Sequence, residues 1–219
     1  MKDLLIVANW KSYKTTSEAK DWIERFNIQD ARFINKKVVL CAPFTLLSVL
    51  KSYLVNHKSS IMLGAQDISP FGEGAYTGEV NGKQLKEFAS RVLIGHSERR
   101  KYCGETNELL AKKVDQANLH GIFPIYCAQG SDTPIPKGVE IVAYEPVFAI
   151  GTGKPDTPQS AEEVALFLKE NSGIQTVLYG GSVTPKNVHS FTVMPHIDGV
   201  LVGSSSLDPA LFRDLIHHA

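Results

Sequence analysis

The segment Ala143–Lys154, AYEPVFAIGTGK, holds the residue best placed to do chemistry. A short apolar run ends in a carboxylate, Glu145, followed by Pro146 and a loop whose far end carries Gly151 and Gly153. The loop tip, Val147, Phe148, Ala149 and Ile150, is apolar and bounded by residues that bend freely, which suits a lid. A lid that excludes water strengthens the electrostatics beneath it, as proton abstraction by a carboxylate requires. The competing reading is a solvated glutamate on an ordinary surface loop; the exposed apolar tip argues against it. In VLIGHSERRKYCGET, Val92–Thr106, His96 follows another apolar run and opens a helix. A helix N-terminus disfavours imidazolium, so His96 suits a neutral hydrogen-bond donor, with a purely structural histidine as the alternative. Asn9 and Lys11 in ANWK end the first run, and a lysine there can face an oxyanion or a phosphate. Two small-residue turns, YGGSV (Tyr179–Val183) and VGSSS (Val202–Ser206), follow the last two runs and offer backbone N–H groups to a phosphate.

Other motifs fail on spacing. GTGK is not a nucleotide-binding P-loop, because position 148 is Phe and Pro155 replaces the hydroxyl residue. GEGAYTG, Gly72–Gly78, is not spaced as a dinucleotide fingerprint, and nothing around Ser97 resembles a hydrolase triad.

These residues need a frame that gathers strand ends. Eight β-branched-rich runs recur: Leu4–Ala8, Val38–Ala42, Ile61–Ala65, Val92–Ile94, Ile122–Cys127, Ile141–Tyr144, Thr176–Tyr179 and Val200–Val202. They lack polar alternation, as parallel strands covered on both faces do. Helical patterns lie between them: Ser17–Asn27 with Ala19, Trp22, Ile23 and Phe26 on one face, Thr106–Leu119 behind a Thr cap, Ser160–Glu170 with a capping box to Glu163, and Asp208–His217. Because the unusual residues follow many different strands, a closed parallel (β/α)8 barrel fits better than a doubly wound sheet. The link AQGSDTPIPKGV, Ala128–Val139, has two prolines and two glycines, so the helix between strands five and six is expected to be missing or reduced. Residues 1–219 read as a single domain.

Bulk properties narrow the function. With 219 residues and 43% hydrophobic content there is enough chain for one well-buried barrel. Lys+Arg and Asp+Glu balance at 23 each and no basic stripe stands out, which argues against nucleic acid or an anionic membrane as partner. Cys41, Cys103 and Cys127 are too few for a disulfide framework and form no zinc motif. No run approaches a membrane span, and a reducing cytoplasm is the expected location.

In order and wording, NWK, AQD…GAYTGE, IGHSERR, AYEPVFAIGTGK, YGGSV and DGVLVGSSSL resemble the triosephosphate isomerase family over nearly the whole chain. The resemblance implies a TIM barrel and a cofactor-free, metal-free aldose–ketose isomerase of glycolysis and gluconeogenesis acting on a phosphorylated triose. It implies Glu145 as base, His96 as electrophile, Lys11 and Asn9 on the oxyanion side, and Glu98 orienting Lys11. Gly151, Ser182, Gly203 and Ser204 would hold the phosphate. It also implies a homodimer through the loop Gln66–Glu79, with Thr77 at the contact; a tetramer is the alternative, if the stripped crossover leaves barrel wall to cover. Phe148 stands where the family has Trp, Ser204 where it has Gly, and Lys169 where Arg is common, which is expected to weaken a pair to Asp198. Two other functions fit less well: an isomerase of a four-carbon sugar phosphate with a mouth widened by the stripped crossover, and a catalytically silent scaffold.

Overall fold

The computed structural model describes residues 2–26, 33–149 and 153–219. Eight strands, β1 (Leu4–Asn9), β2 (Lys36–Ala42), β3 (Met62–Ala65), β4 (Arg91–Ile94), β5 (Phe123–Ala128), β6 (Ile141–Tyr144), β7 (Thr176–Tyr179) and β8 (Gly199–Val202), pair in sequential order and in parallel. β8 returns to β1, closing the barrel. Alternate side chains pack two cores, as the pleat dictates. Val7, Val39, Leu93, Ile125, Leu178 and Leu201 fill the barrel interior with Cys41 and Cys127. Ile6, Leu40, Val92, Tyr126, Val142 and Val200 face the helices.

The seam between β1 and β8 constrains one residue tightly. Gly199 pairs with Leu5 at φ 154°, and a Cβ there would lie 1.9 Å from the Leu5 carbonyl oxygen. Only glycine lets the two backbones approach this closely.

The outer layer comprises α1 (Thr16–Phe26), α2 (Phe44–Asn56), α3 (Gly82–Lys86), α4 (Ser97–Cys103), α5 (Asn107–Leu119), α6 (Pro158–Ser172), α7 (Val188–Thr192) and α8 (Pro209–His218). The predicted face of α1 is buried, and Trp22 stacks on Phe26 at 4.7 Å while its indole N–H donates to the Ser206 carbonyl at 3.1 Å. α1 is thereby tied to the turn after β8. Thr106 caps α5 as expected. The start of α6 differs from the expectation: Thr157 is the cap, Pro158 occupies the first turn, and Ser160 is the residue whose N–H the Thr157 hydroxyl receives. Proline's fixed φ favours an early first-turn position, which moves the true start three residues upstream of the apparent box.

Between β5 and β6 no helix forms, as the prolines dictate. Residues 129–140 instead run as a strap. Ile135 packs on the outer core, Val139 is buried, and the Tyr126 hydroxyl donates to the Pro134 carbonyl at 3.1 Å. Tyr126 and Val142, which face outward from β5 and β6, are fully buried, so this stretch of wall is already covered. Lys169 keeps its pair with Asp198 at 2.6 Å despite replacing arginine. Among the described residues, no helix is long and apolar enough to cross a membrane.

Candidate active site

The C-terminal ends of the strands surround a pocket of about 300 Å³. Its lining brings together Asn9 and Lys11 after β1, His96 after β4, Glu145 after β6, Gly180 and Ser182 after β7, and Gly203 and Ser204 after β8. Gly153 joins them from the returning end of the loop after β6, whereas Gly151 and Ile150 lie outside the described residues. No residue of the 129–140 strap is among the lining residues.

Glu145 is 2% exposed, and its backbone N–H donates to the Ala128 carbonyl at 2.7 Å, holding it in register with the end of β5. One carboxylate oxygen lies 3.1 Å from His96 Nε2, and the other accepts the Ser97 N–H at 3.2 Å. A buried carboxylate is costly unless paired and hydrogen-bonded, and here both oxygens are engaged. The Cys127 thiol also bonds this carboxylate; burial first and the Glu145 charge second push that thiol well above its ordinary range, so it stays neutral.

His96 is the N-cap of α4, and its Nδ1 accepts the Glu98 N–H at 3.3 Å. That contact requires a lone pair on Nδ1 and places the ring proton on Nε2, facing the pocket. Burial lowers the imidazole pKa, but the Glu145 and Glu98 carboxylates outweigh it and the net direction is upward. The amide at Nδ1 and the dipole of α4 oppose those carboxylates. A ligand oxygen that took Nε2 in place of Glu145 would leave these two influences to keep the ring neutral.

Lys11 adopts left-handed backbone, φ 52°, which is unusual for lysine and places its side chain across the mouth. Its Nζ lies 2.5 Å from Glu98 Oε1, and its N–H donates to Asn9 Oδ1 at 2.9 Å. Glu98 stands outside the pocket lining and reaches it through Lys11. Gln66, whose part the spacing does not reveal, donates its side-chain amide to Asn9 Oδ1, the Lys11 carbonyl and the Cys41 carbonyl.

The two small-residue turns meet across the pocket. A Cβ at Gly180 would lie 3.0 Å from Glu145 Cγ, and one at Gly203 would lie 3.3 Å from Lys11 Cε. The bare backbone therefore makes room for the two charged side chains. Ser182 has φ 52° and donates its hydroxyl to the Ala149 carbonyl at 2.5 Å. Ser204 opens a single 3-10 turn and is not among the positive-φ residues, so its replacement of glycine needs no strained backbone. A buried base, a neutral N–H donor, an ammonium group and two turns of backbone amides can move a proton beside a carbonyl on a molecule held by its phosphate.

Comparisons with known proteins point to one family. The profile of the family described as triosephosphate isomerase matches residues 4–219. The triosephosphate isomerase of Trichodesmium erythraeum (strain IMS101) is 38% identical over 242 residues, covering all of both chains, and that of Mesomycoplasma hyopneumoniae (strain 232) is 36% identical over 97% of this chain and 98% of its own. The first alignment is longer than the present chain, so this chain lacks segments that the relative has. The crystal structure of triosephosphate isomerase from Bartonella henselae superposes with a TM-score of 0.85 at 28% identity, covering 99% of this chain and all of the other. With the whole barrel matched by the profile and near-complete relatives above 30% identity, the chain belongs to the triosephosphate isomerase family.

Proposed function

We propose that this protein interconverts dihydroxyacetone phosphate and D-glyceraldehyde 3-phosphate through an enediolate. The observation that carries the reading is the buried Glu145 carboxylate 3.1 Å from His96 Nε2, in one pocket with Lys11 and both small-residue turns. Glu145 removes a proton from the carbon beside the carbonyl; the C–H pair becomes the carbon–carbon double bond of the enediolate, and the carbonyl π pair moves to the oxygen. His96 Nε2–H donates to that oxygen as its charge grows, while Lys11, held by Glu98 and Asn9, supplies fixed positive charge. The same carboxyl group returns the proton to the neighbouring carbon, while the proton of the substrate hydroxyl passes to the former carbonyl oxygen by way of His96, so that the second oxygen becomes the new carbonyl. Amides of Gly151, Ser182, Gly203 and Ser204 hold the phosphate. The whole chain acts as one barrel domain.

We further infer a homodimer through the Gln66–Glu79 loop. Residues 71–79 are all exposed, and Phe71 stacks on Tyr76 at 4.3 Å on the outside of the barrel. At the root of the same loop, Gln66 bonds Asn9 and Lys11, which would couple dimerisation to the site. The covered wall beside the 129–140 strap supports a dimer over a tetramer. A reducing cytoplasm suits the three free cysteines, two of them buried in the barrel.

A coupled assay with dihydroxyacetone phosphate and its four-carbon homologue tests the reading. Turnover of the triose alone is expected. Preference for the longer sugar, or activity with neither, would replace it with one of the two alternatives.

A further inference from the structure

The connection from β6 to α6 has Glu145 at one end and Asp156 at the other, and Asp156 is heavily engaged. Its N–H donates to the Tyr179 hydroxyl at 2.7 Å. Oδ2 accepts from the Tyr144 hydroxyl at 3.2 Å and the Ser160 hydroxyl at 3.0 Å, and Oδ1 accepts the Thr157 N–H at 2.8 Å. The two tyrosines are the last residues of β6 and β7. Tyr144 directly precedes Glu145, and Tyr179 directly precedes Gly180.

Burial raises both phenols, and the Asp156 carboxylate helps push Tyr144 to about 12, so both rings keep their protons near neutrality. Tyr179 also fills the space beside the phosphate turn: a Cβ at Gly181 would lie 2.5 Å from its hydroxyl oxygen. Nearer β6, the Ala149 carbonyl accepts the Ser182 hydroxyl. The loop is therefore fastened to the end of β7 and the turn after it at both sides, and Asp156 extends that fastening to the strand end carrying Glu145. Helix α6 takes its cap from Thr157, so capping does not account for the Asp156 carboxylate.

We infer that Asp156 is a positioning residue: by joining Tyr144 and Tyr179 to the first turn of α6, it fixes the returning end of the loop over the pocket in register with Glu145 and the phosphate turn. The inference rests on the isomerase reading. Its signature is the fate of the enediolate. If the loop end is misplaced, the carbon–oxygen bond to phosphate breaks with its electron pair leaving on phosphate. The enediolate oxygen re-forms a carbonyl, and tautomerisation of the remaining enol gives methylglyoxal.

The test compares the unmodified protein with Asp156→Ala, Asp156→Asn, Tyr144→Phe, Asp156→Ala combined with Tyr144→Phe, and Thr157→Ala, measuring kcat, KM, methylglyoxal formed per isomerisation, and Tm. An unmodified protein that does not isomerise the triose phosphate refutes the isomerase reading itself. Given that activity, Asp156→Ala should raise the methylglyoxal fraction roughly tenfold, the scale expected for losing hydrogen bonds to a charged group. Asp156→Asn, which keeps the shape but cannot accept from all three donors, should move it the same way by less. Tyr144→Phe should also raise it and add little on top of Asp156→Ala, since both remove one contact. Thr157→Ala should lower Tm with no change in the fraction. An unchanged fraction in both Asp156 variants, or an equal rise in Thr157→Ala, overturns the inference.

Discussion

Lys11 combines left-handed backbone, a 2.5 Å contact to Glu98 and a place against the bare backbone of Gly203. Strained residues of this kind persist where their surroundings over-determine them. The sequence named Lys11, His96 and Glu145 because a titratable side chain just past a strand end is visible as residue type, whereas Glu98, inside α4, entered only through the family resemblance. It did not reveal that Gln66 clamps Asn9 and Lys11, or that Ser97 serves Glu145 through its backbone N–H. An amide carries no signature in residue type, and a glutamine bond spanning 55 residues is set by barrel closure. Glu145→Gln should lower kcat by about 10² to 10⁴ while phosphate-analogue affinity stays within a few-fold, measured by steady-state kinetics and calorimetry. Since the Glu145 charge is one cause raising the His96 pKa, the same variant should shift the His96 titration midpoint downward in NMR. A midpoint that stays put would mean that the carboxylate does not act on the ring.

The elements follow their local chemistry closely. β6 and β7 match their apolar runs, and α1 buries the face its spacing gives. α6 starts upstream of the apparent box, because Ser160 with Glu163 mimics a capping box whereas the hydroxyl in use belongs to Thr157. The strap over β5 and β6 was legible only as a missing helix; what replaces it depends on contacts distant from its own composition. The Gly138 and Glu140 carbonyls tie its far end to Asn118, Gln175 and Thr176, and its near end is anchored by Tyr126, which donates to Pro134 and accepts from Arg100 at 3.0 Å, while Arg100 also holds the Gly95 carbonyl next to His96. Tyr126→Phe should therefore cost about 1–3 kcal/mol in urea unfolding, the scale of leaving buried polar partners unsatisfied. The strap contributes nothing to the pocket lining, so kcat should change little. A variant of unchanged stability would show that apolar packing by Ile135 and Val139 holds the strap without this anchor.

At the scale of the whole molecule, the proposed dimer would join the exposed Phe71–Tyr76 stack to the site through the Gln66 clamp. Tyr76→Asp should shift micromolar protein toward monomer in sedimentation and lower kcat, because a burial-driven contact rejects a charge. A fully active monomer would separate the loop from Lys11. The barrel's last seam carries a different consequence, one of timing. β1 pairs with β8 from Leu5 opposite Gly199 to Ala8 opposite Val202, so the longest-range pairing in the sheet forms last during synthesis. Until then β1 and β7 are open strand edges able to pair with another chain. Loop-closure entropy makes such distant pairings slow. Gly199→Ala, which would drive a methyl group into the Leu5 carbonyl, should prolong that exposed interval. Refolding yield should then fall steeply as protein concentration rises, because aggregation competes by a higher-order process with closure of the ring. Yield independent of concentration would place the vulnerable step before the ring closes.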